Sequence, residues 1–255
     1  MTSDDQQVID SQQLVINVFK TFRGELLSVF GNIEHTSKPD HSPVTVYDVK
    51  VEETLKAALA ESFPAIGFEG EETGASGSRE TYWLVDPIDG TSSFIRGLPF
   101  STNMAALVHD GVVIAAVIYD FVNDVLYTAF KGKGSFKNGE RIQLKERPEG
   151  SHFIYAMSHT GFGHIKEALN ELRMRTLLPV GASGHEYAML AEGKIDGIVN
   201  LERGRGLHDN APGVLLVEEA GGVLLSYDEL NGVYRSQFII GSPTVVDLIE
   251  RSGLL

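Results

Sequence analysis

Two carboxylates, Asp86 and Asp89, follow directly after strand-forming residues at positions 83–85. Pro87 lacks a backbone donor and Gly90 favours a turn, so the strand is predicted to end in a sharp bend that holds both acids. Carboxylates held this close repel each other unless a cation lies between them. Because the ligands are all oxygen atoms, Mg²⁺ and Ca²⁺ are the metals that suit such a site. The stretch therefore predicts a divalent-cation site.

Hydroxyl side chains at Thr91, Ser92 and Ser93 follow the bend and are typical N-cap residues of a helix. The backbone N–H groups near Gly90 and Thr91 would then point outward at a helix N-terminus, which suits a phosphate group. Taken alone, the stretch is equally typical of an ordinary surface turn. The rest of the chain has to decide between the two interpretations.

Three further acids lie where predicted elements begin or end. Glu71 follows a short apolar segment, and a neighbouring strand would bring it beside the two acids of the bend. Asp48 and Asp209 each fall at the start of a predicted helix, where an aspartate is commonly an N-cap. Each of these acids therefore has a structural interpretation, as a solvated loop residue or a helix cap, beside the catalytic one.

Other chemical signals in the chain are weaker. The segment at 131–134, Lys-Gly-Lys-Gly, lacks the spacing of a nucleotide-binding phosphate loop and lies between predicted strands, which favours a hairpin turn. His208, next to Asp209, is the best placed of the eight histidines. The others lack metal-ligand spacing, so a zinc site is disfavoured. The chain has no cysteine, which excludes disulfides and thiolate chemistry.

Length and charge restrict the class of protein. A chain of 255 residues allows one large domain or two small ones. The net charge of −14 disfavours nucleic acid and anionic membranes as partners, because both require basic surfaces. The longest apolar run, at 112–119, is too short to cross a membrane. Because the N-terminal residues lack the apolar core of a secretory signal, a cytoplasmic location is expected.

Hydrophobic periodicity predicts the elements that position these groups. A polar, proline-punctuated loop is expected at 36–43 and a glycine- and serine-rich loop at 74–78. The β-rich region at 104–130 predicts an antiparallel meander, and alternating strands and helices from about residue 151 predict α/β layering. The predicted helices lie at 5–30, 51–59, after 163, 183–192 and 214–220, and the predicted strands at 83–85, 104–108, 111–120, 125–130, 153–157, 176–180, 196–201 and 221–225.

Three motifs in this order resemble the inositol monophosphatase family of Mg²⁺-dependent, lithium-sensitive sugar and nucleotide phosphatases. They are Gly70-Glu71-Glu72, Asp86-Pro-Ile-Asp-Gly-Thr91 and the segment at Asp209, supported by Val44-Thr45 followed by Asp48. The resemblance covers nearly the whole chain. It implies a layered α/β sugar-phosphatase fold (αβαβα), with an N-terminal α+β half at 1–150 that contains a large antiparallel sheet, a C-terminal α/β half at 151–255, and the active site between them.

The resemblance also implies a role for each acid. One Mg²⁺ would be bound by Glu71, Asp86 and the Ile88 carbonyl, a second by Asp86, Asp89 and Asp209, and a third ion would share Glu71. The N–H groups of Gly90 and Thr91 would bind the phosphate, while Thr91, Asp48 and Glu71 would position and deprotonate the attacking water. The residues that would contact the rest of the substrate are Asp89, Ser183, Glu202 and Asp209.

Departures from the family pattern concern the substrate. His208 stands where the family has tryptophan, which changes one wall of the site. Arg203 and Arg205, beside Glu202, could bind a second anionic group. Lys38 is near the place of a family lysine, but its spacing differs and it is left unassigned.

The implied function is Mg²⁺-dependent hydrolysis of inositol monophosphate or a related small polyol phosphate, with a homodimer as the implied assembly. Alternative substrates for the same acids are histidinol phosphate, 3′-phosphoadenosine 5′-phosphate and fructose-1,6-bisphosphate. An alternative from another class is a regulatory, partner-binding protein on the same fold. The intact set of acids, Asp48, Glu71, Asp86, Asp89 and Asp209, favours the enzyme.

Overall fold

Helices and strands follow one another along a chain whose computed structural model describes residues 3–148, 150–157, 162–178, 181–201, 206–226 and 237–253. The helices are α1 Ser3–Val29, α2 Val46–Ser62, α3 Thr91–Arg96, α4 Phe162–Glu171, α5 Ser183–Ala191, α6 Leu207–Glu219 and α7 Pro243–Ser252. The strands are β1 Thr36–Ser37, β2 Pro43–Val44, β3 Gly67–Gly70, β4 Gly74–Ser76, β5 Thr81–Asp89, β6 Thr102–His109, β7 Val112–Asp120, β8 Val125–Phe130, β9 Gly134–Lys137, β10 Glu140–Ile142, β11 Phe153–Met157, β12 Arg175–Leu177, β13 Gly197–Asn200, β14 Val223–Ser226 and β15 Phe238–Gly241.

The largest sheet has eight strands in the order β10-β9-β8-β7-β6-β5-β3-β4. Its neighbours are antiparallel except for β3 and β5, which run parallel. The strands from β5 to β10 pair in chain order, so the predicted meander is confirmed. The parallel pairing of β3 with β5 is important for the site, because it brings the ends of both strands to the same edge of the sheet.

Alternate residues of the central strands supply the cores on the two faces of this sheet. On one face, Ala105 and Leu107 of β6 pack in a cluster with residues of α1 and α2, among them Phe19 and Leu55. On the other face, Met104 of the same strand packs in a cluster with α5 and α6. Because both faces are covered by helices, β6 is buried from Thr102 to Val108.

A second sheet of five strands, in the order β12-β11-β13-β15-β14, forms a further layer. Helices α5 and α6 lie between the two sheets, since Tyr187 and Leu216 pack in one core with Ile118 of the large sheet and Ile240 of the small one. Helices α4 and α7 cover the outer face of the small sheet through Ile165, Leu169, Val245 and Ile249. The predicted αβαβα layering is confirmed.

Several elements differ from the sequence-based expectation. The loop predicted at 36–43 contains the short antiparallel pair β1–β2, and the loop predicted at 74–78 begins with β4. Strands of two or three residues are too short to show an alternating pattern. Strand β15 and helix α7 were not predicted at all, although Ser242 is a clear N-cap whose hydroxyl accepts from the Val245 N–H. The end of the strand predicted at 176–180 lies outside the described residues.

The turn at 131–134 is a hairpin between β8 and β9, as predicted. Its Gly132 and Gly134 N–H groups donate to the two carboxylate oxygens of Glu219, at 2.6 and 2.8 Å. A side-chain carboxylate of α6 therefore takes the place that a phosphate group would have in a phosphate loop.

All strands of the eight-stranded sheet precede residue 143, and all strands of the five-stranded sheet follow residue 152. A boundary between two halves at residue 150 stays a prediction. Within the described ranges, no helix combines the length and the apolar character needed to cross a membrane.

Candidate active site

Strand β5 carries both acids of the predicted bend. It pairs with β6 from Thr81 to Asp86 and again at Asp89, and the register shifts between these two points. The strand therefore continues past Pro87, where the sequence predicted its end, and the bend is an irregularity within the ladder. At this irregularity the buried Asn103 side chain of β6 donates a hydrogen bond from Nδ2 to the Pro87 carbonyl, at 2.5 Å.

Three aspartates converge at this bend. Each of Asp86, Asp89 and Asp209 offers a carboxylate oxygen, and these oxygens all lie within 4.8 Å of one another. Asp86 and Asp89 are buried, with 2% and 4% of their surface exposed, and Asp209 is half-buried. The bend of β5 and the first turn of α6 thus meet around one acidic cluster, as the sequence predicted for these three residues.

Burial and mutual repulsion disfavour ionisation of this cluster. Burial raises the pKa of Asp86 well above its usual value, and the charges of Glu71, Asp89 and Asp209 raise it further. Burial also raises the pKa of Asp89, against the opposing effect of hydrogen bonds from the Gly184 N–H and the Thr102 hydroxyl. Such carboxylates can all be ionised at neutral pH only if positive charge is brought among them.

The carboxylate of Asp89 is held by three donors. The N–H groups of Ser183 and Gly184, at the start of α5, donate to it at 2.9 and 2.8 Å, and the Thr102 hydroxyl donates at 2.8 Å. A side chain at position 184 is excluded, since a Cβ there would lie 2.2 Å from Thr102 Oγ1. Ser183 was predicted as a substrate contact. In the structure its backbone N–H donates to Asp89, a candidate metal ligand, so Ser183 lies at the edge of the acidic cluster.

Glu71 joins the site from the end of β3. Its N–H donates to the Val85 carbonyl of β5 at 3.1 Å, which places it next to the residue that precedes Asp86. Its carboxylate has two cationic or potentially cationic neighbours, Lys38 Nζ at 2.6 Å and His208 Nε2 at 3.6 Å.

Lys38 lies at the site beside Glu71, although its position in the sequence did not predict this. It lies between β1 and β2 and forms ion pairs with both Glu71 and Glu72. Partial burial lowers the pKa of its ammonium group, but the hydrogen bonds to the two carboxylates outweigh this effect and raise the pKa above its usual value. The resemblance pointed to Lys38 as the counterpart of a family lysine, but its different spacing left it without an assigned role.

Asp48 is not the N-cap of α2, because Thr45 has that position. Asp48 is the third residue of the helix and completes a capping box, in which its Oδ2 accepts from the Thr45 N–H at 2.7 Å and the Thr45 hydroxyl at 2.6 Å. Its other oxygen accepts from the Thr91 hydroxyl at 3.3 Å. Burial raises the pKa of Asp48 to about 6, although the bonds from Thr45 act in the opposite direction.

Gly90 is the N-cap of α3, so the predicted cap residues Thr91 to Ser93 form the first turn of that helix instead. Gly90 adopts a left-handed conformation with φ of 79°, and a Cβ there would lie 2.6 Å from the Phe100 carbonyl oxygen. Only glycine suits this position. The single proton of the Thr91 hydroxyl has two acceptors within reach, the Ile88 carbonyl at 2.9 Å and Asp48 Oδ1 at 3.3 Å, so these three residues are connected.

Asp209 is likewise not a cap but the third residue of α6, whose N-cap is Gly206. Its Oδ2 accepts from the Gly206 N–H at 2.9 Å. For both aspartates the local sequence does not distinguish the N-cap from the third helical position, because an aspartate at either position accepts from backbone N–H groups at the helix start. Glu202, Arg203 and Arg205, the candidate substrate contacts beside it, lie outside the described residues.

Comparison with known proteins assigns the family. A model of the inositol monophosphatase family matches residues 4–250. The chain belongs to the inositol monophosphatase family. It is 34% identical over 206 residues to the inositol-1-monophosphatase of Mesorhizobium japonicum, covering 77% of each chain. It is 32% identical over 226 residues to the fructose-1,6-bisphosphatase/inositol-1-monophosphatase of Aquifex aeolicus, covering 86% of this chain and 83% of that one.

Solved structures agree with this family assignment. The extragenic suppressor protein suhB of Bartonella henselae superposes with a TM-score of 0.82 at 28% identity, covering 95% of this chain and 98% of that one. An IMPase from Thermotoga maritima shares the fold, with the same TM-score of 0.82. The layered architecture is therefore that of the inositol monophosphatase family, and the relatives from Mesorhizobium japonicum and Aquifex aeolicus are named phosphatases.

The residues of this family member fit a divalent metal. The donor atoms of the aspartate cluster are all oxygens, and hard cations such as Mg²⁺ prefer oxygen ligands. The cluster is also buried and self-repelling, which a bound cation would relieve. The acidic group is therefore suited to bind metal.

Proposed function

We propose that the protein is a Mg²⁺-dependent phosphomonoesterase that hydrolyses inositol monophosphate or a related small polyol phosphate. The observation that carries the proposal is the buried cluster of Asp86, Asp89 and Asp209 beside the hydrogen-bonded pair Thr91–Asp48. A cation can stabilise the charge of the phosphoryl group and a proton acceptor can activate water, so the two together support metal-dependent hydrolysis of a phosphate ester.

The metal ligands are proposed as the family pattern implies them. Glu71, Asp86 and the Ile88 carbonyl would hold one ion, Asp86, Asp89 and Asp209 a second, and Glu71 would be shared with a third. When bound, Mg²⁺ supplies positive charge for the phosphoryl oxygens and makes water more acidic. The chain itself contributes the placement of these carboxylates. At Asp89, hydrogen bonds from Thr102, Ser183 and Gly184 hold the carboxylate in position.

Thr91 and Asp48 are proposed to receive the proton of the attacking water. The Thr91 hydroxyl reaches Asp48 Oδ1 at 3.3 Å as well as the Ile88 carbonyl at 2.9 Å. A proton accepted at Thr91 Oγ1 would be balanced by release of the hydroxyl proton to Asp48, since only the carboxylate can take up a proton. The pKa of Asp48 is raised to about 6, which is closer to neutral pH than the usual value of an aspartate. A general base is most effective when its pKa lies near the working pH. The N–H groups of Gly90 and Thr91, at the start of α3, would bind the phosphate.

The substrate class is proposed from Glu202 and from the relatives. Glu202 matches an acid that contacts inositol hydroxyls in inositol-specific members of the family, and His208 beside Asp209 changes one wall. Relatives named inositol-1-monophosphatase, and one named fructose-1,6-bisphosphatase/inositol-1-monophosphatase, support a phosphorylated polyol. Histidinol phosphate and 3′-phosphoadenosine 5′-phosphate are the competing substrates.

A cytoplasmic homodimer that binds neither nucleic acid nor membranes completes the proposal. The net charge of −14 supports the exclusion of polyanionic partners. Sedimentation velocity of the purified protein would test the dimer, and a monomer at micromolar concentration would contradict it.

The function is tested by phosphate release from inositol-1-phosphate, fructose-1,6-bisphosphate, histidinol phosphate and 3′-phosphoadenosine 5′-phosphate. Each substrate is assayed with Mg²⁺, with EDTA, and with Mg²⁺ plus Li⁺, beside the variants Glu71→Gln and Glu53→Gln. We expect one preferred polyol phosphate, inhibition by Li⁺, and loss of turnover in Glu71→Gln but not in Glu53→Gln, which changes an exposed residue of α2. A folded, Mg²⁺-binding protein without turnover on any substrate would refute the phosphatase and favour the partner-binding protein.

A further inference from the structure

Glu52 is a carboxylate with no exposed surface, and it lies on α2 one helical turn after Asp48. Its Oε1 accepts from the Glu72 N–H at 2.9 Å. Its Oε2 accepts from both the N–H and the hydroxyl of Thr73, each at 2.8 Å. All three donors belong to the two residues that directly follow Glu71.

The three hydrogen bonds offset the cost of burying the Glu52 carboxylate away from water. Within the described ranges, no lysine, arginine or histidine forms an ion pair with Glu52. A buried carboxylate is costly unless donors satisfy its oxygens, and bonds from N–H and O–H groups to a charged acceptor are stronger than those to a neutral one. The segment at 72–73 is therefore held to α2 by strong and specific interactions.

The approach of β3 to this carboxylate is close. A Cβ at Gly70 would lie 2.1 Å from Glu52 Oε2, so position 70 admits no side chain while Glu52 keeps its place. On its other side, Glu71 is bound to β5 through the bond from its N–H to the Val85 carbonyl. Glu71 is thus fixed before and after its own Cα, by β5 and by Glu52.

We propose that Glu52 is a positioning residue for the metal site, which holds the backbone that follows Glu71 so that the Glu71 carboxylate faces Asp86. The inference rests on the proposed function, in which Glu71 is a metal ligand. Asp48 and Glu52 are four residues apart and share one face of α2. One helix therefore sets the positions of both the proton acceptor Asp48 and the ligand Glu71.

The acceptor must be a carboxylate rather than an amide. A carboxylate only accepts hydrogen bonds, whereas glutamine has an NH₂ group that donates. In Glu52→Gln, that NH₂ group would face either the Glu72 N–H or the two donors of Thr73, and at least one buried bond would be lost. The variant has nearly the same shape, so it separates the positioning role from simple filling of space.

The test compares wild type, Glu52→Gln and the matched control Glu53→Gln, which makes the same change at the exposed neighbour on the same helix. Mg²⁺ binding to the metal-free protein is measured by calorimetry, and amide hydrogen exchange is followed at residues 70–73. We expect the affinity of Glu52→Gln for Mg²⁺ to fall roughly 10- to 100-fold, the usual effect of losing a residue that orients a ligand. Exchange at 72–73 should become faster in the metal-free variant, and Glu53→Gln should match wild type.

A folded Glu52→Gln variant whose Mg²⁺ affinity stays within about twofold of wild type would overturn the proposal, because a purely structural role changes stability and not metal affinity. If that variant does not fold, Thr73→Val replaces it, since this half-buried loop residue loses only one of the three bonds. Its Mg²⁺ affinity should then fall about fivefold, the equivalent of one hydrogen bond, and an unchanged affinity would overturn the proposal.

The two proposals fail in different ways. Weaker Mg²⁺ binding in Glu52→Gln, in a protein that hydrolyses none of the phosphate esters, supports the positioning role and refutes the phosphatase. Normal Mg²⁺ binding in Glu52→Gln, in a protein that does hydrolyse them, refutes the positioning role and leaves the phosphatase supported.

Discussion

Two clusters of possible metal ligands are similarly compact but have different surroundings. In the cluster of Asp86, Asp89 and Asp209, and in a second cluster formed by Glu80, His109 and Asp110, the ligand atoms lie within 4.8 Å of one another. The first cluster is buried or half-buried, and the second is exposed at all three residues. Distance alone therefore does not distinguish a metal site from a group of surface side chains.

The difference lies in what compensates the charges. In the exposed cluster, the side chains of His109 and Asp110 are 47% and 71% exposed, so water solvates and screens them. In the buried cluster water is largely excluded, and the carboxylates are fixed by donors such as Thr102 and Gly184 while they repel one another. The comparison shows that the two clusters differ in burial, in mutual repulsion and in the donors that fix their carboxylates.

Removing a buried ligand should have the largest effect. We expect Asp86→Asn to lower kcat/KM by at least about 10³-fold, because the ligand shared by two proposed ions is lost and several kcal/mol of charge stabilisation go with it. Asp110→Asn, the same change in the exposed cluster, should leave kcat/KM unchanged. Equal losses in both variants, measured as phosphate release, would remove the distinction between the clusters.

The repulsion in the buried site should also make the metal-free protein less stable as pH rises. Burial raises the pKa of Asp48 from 3.8 to about 6, and it raises those of Asp86 and Asp89. At Asp48 the native state therefore binds more protons than the unfolded state between these two values, so the contribution of Asp48 to the free energy of unfolding falls as pH rises from about 4 to about 6. The raised pKa values of Asp86 and Asp89 act in the same direction. The loss is on the order of a few kcal/mol.

Denaturant unfolding in EDTA at pH 5 and at pH 7.5 measures this dependence. Mg²⁺ should restore stability at the higher pH, and Asp86→Asn should show a smaller decrease than wild type. A metal-free protein that becomes more stable between these pH values would contradict the account of the buried carboxylates.

The donors around Asp89 should have an intermediate effect. Thr102→Val removes one of its three donors and leaves the two backbone N–H groups in place. We expect Mg²⁺ affinity to fall roughly tenfold, at the lower end for residues that orient metal ligands. Thr81→Val is the matched control, because the Thr81 hydroxyl bonds His109 Nδ1 in the exposed cluster at 2.6 Å. A calorimetric titration in which both variants match wild type would show that Thr102 has no such role.

The smallest effect is expected in the exposed cluster itself. The double variant Glu80→Gln/Asp110→Asn should keep the number of Mg²⁺ ions bound at saturation and change the free energy of unfolding by no more than about 0.5 kcal/mol, as surface substitutions usually do. The number of bound ions is measured by equilibrium dialysis. One ion fewer per chain would show that the exposed cluster is also a metal site.

Much of the site could be predicted because its chemistry is local in the chain. Asp86, Asp89, Gly90 and Thr91 lie within one turn, and their residue types alone suggested a cation beside a phosphate. The helices of the middle layer and the meander were predicted because their periodic patterns are long enough to read. The alternative interpretation of Asp48 and Asp209 as N-caps is replaced by the third helical position, since a capping-box acid and an N-cap residue serve the same helix end.

The residues that hold the ligands in place could not be predicted. Thr102 and Glu52 have ordinary local patterns, as a strand residue and a helix residue, and Lys38 lies in a polar loop. Their partners are Asp89, Thr73 and Glu71, which come from other elements of the fold. Contacts between residues that are distant in the chain produce no periodic pattern and no turn motif in the sequence near the residues that make them.

By itself, the sequence determined which side chains could bind a cation and which elements would carry them, because strand, turn and helix preferences depend on neighbours in the chain. Only the tertiary structure decided which acids meet, which ones water still reaches, and which donors hold them. The parallel pairing of β3 with β5 and the packing of α5 and α6 against the large sheet bring those groups together. The physical reason is that burial and charge repulsion depend on distance in space, which these long-range contacts set.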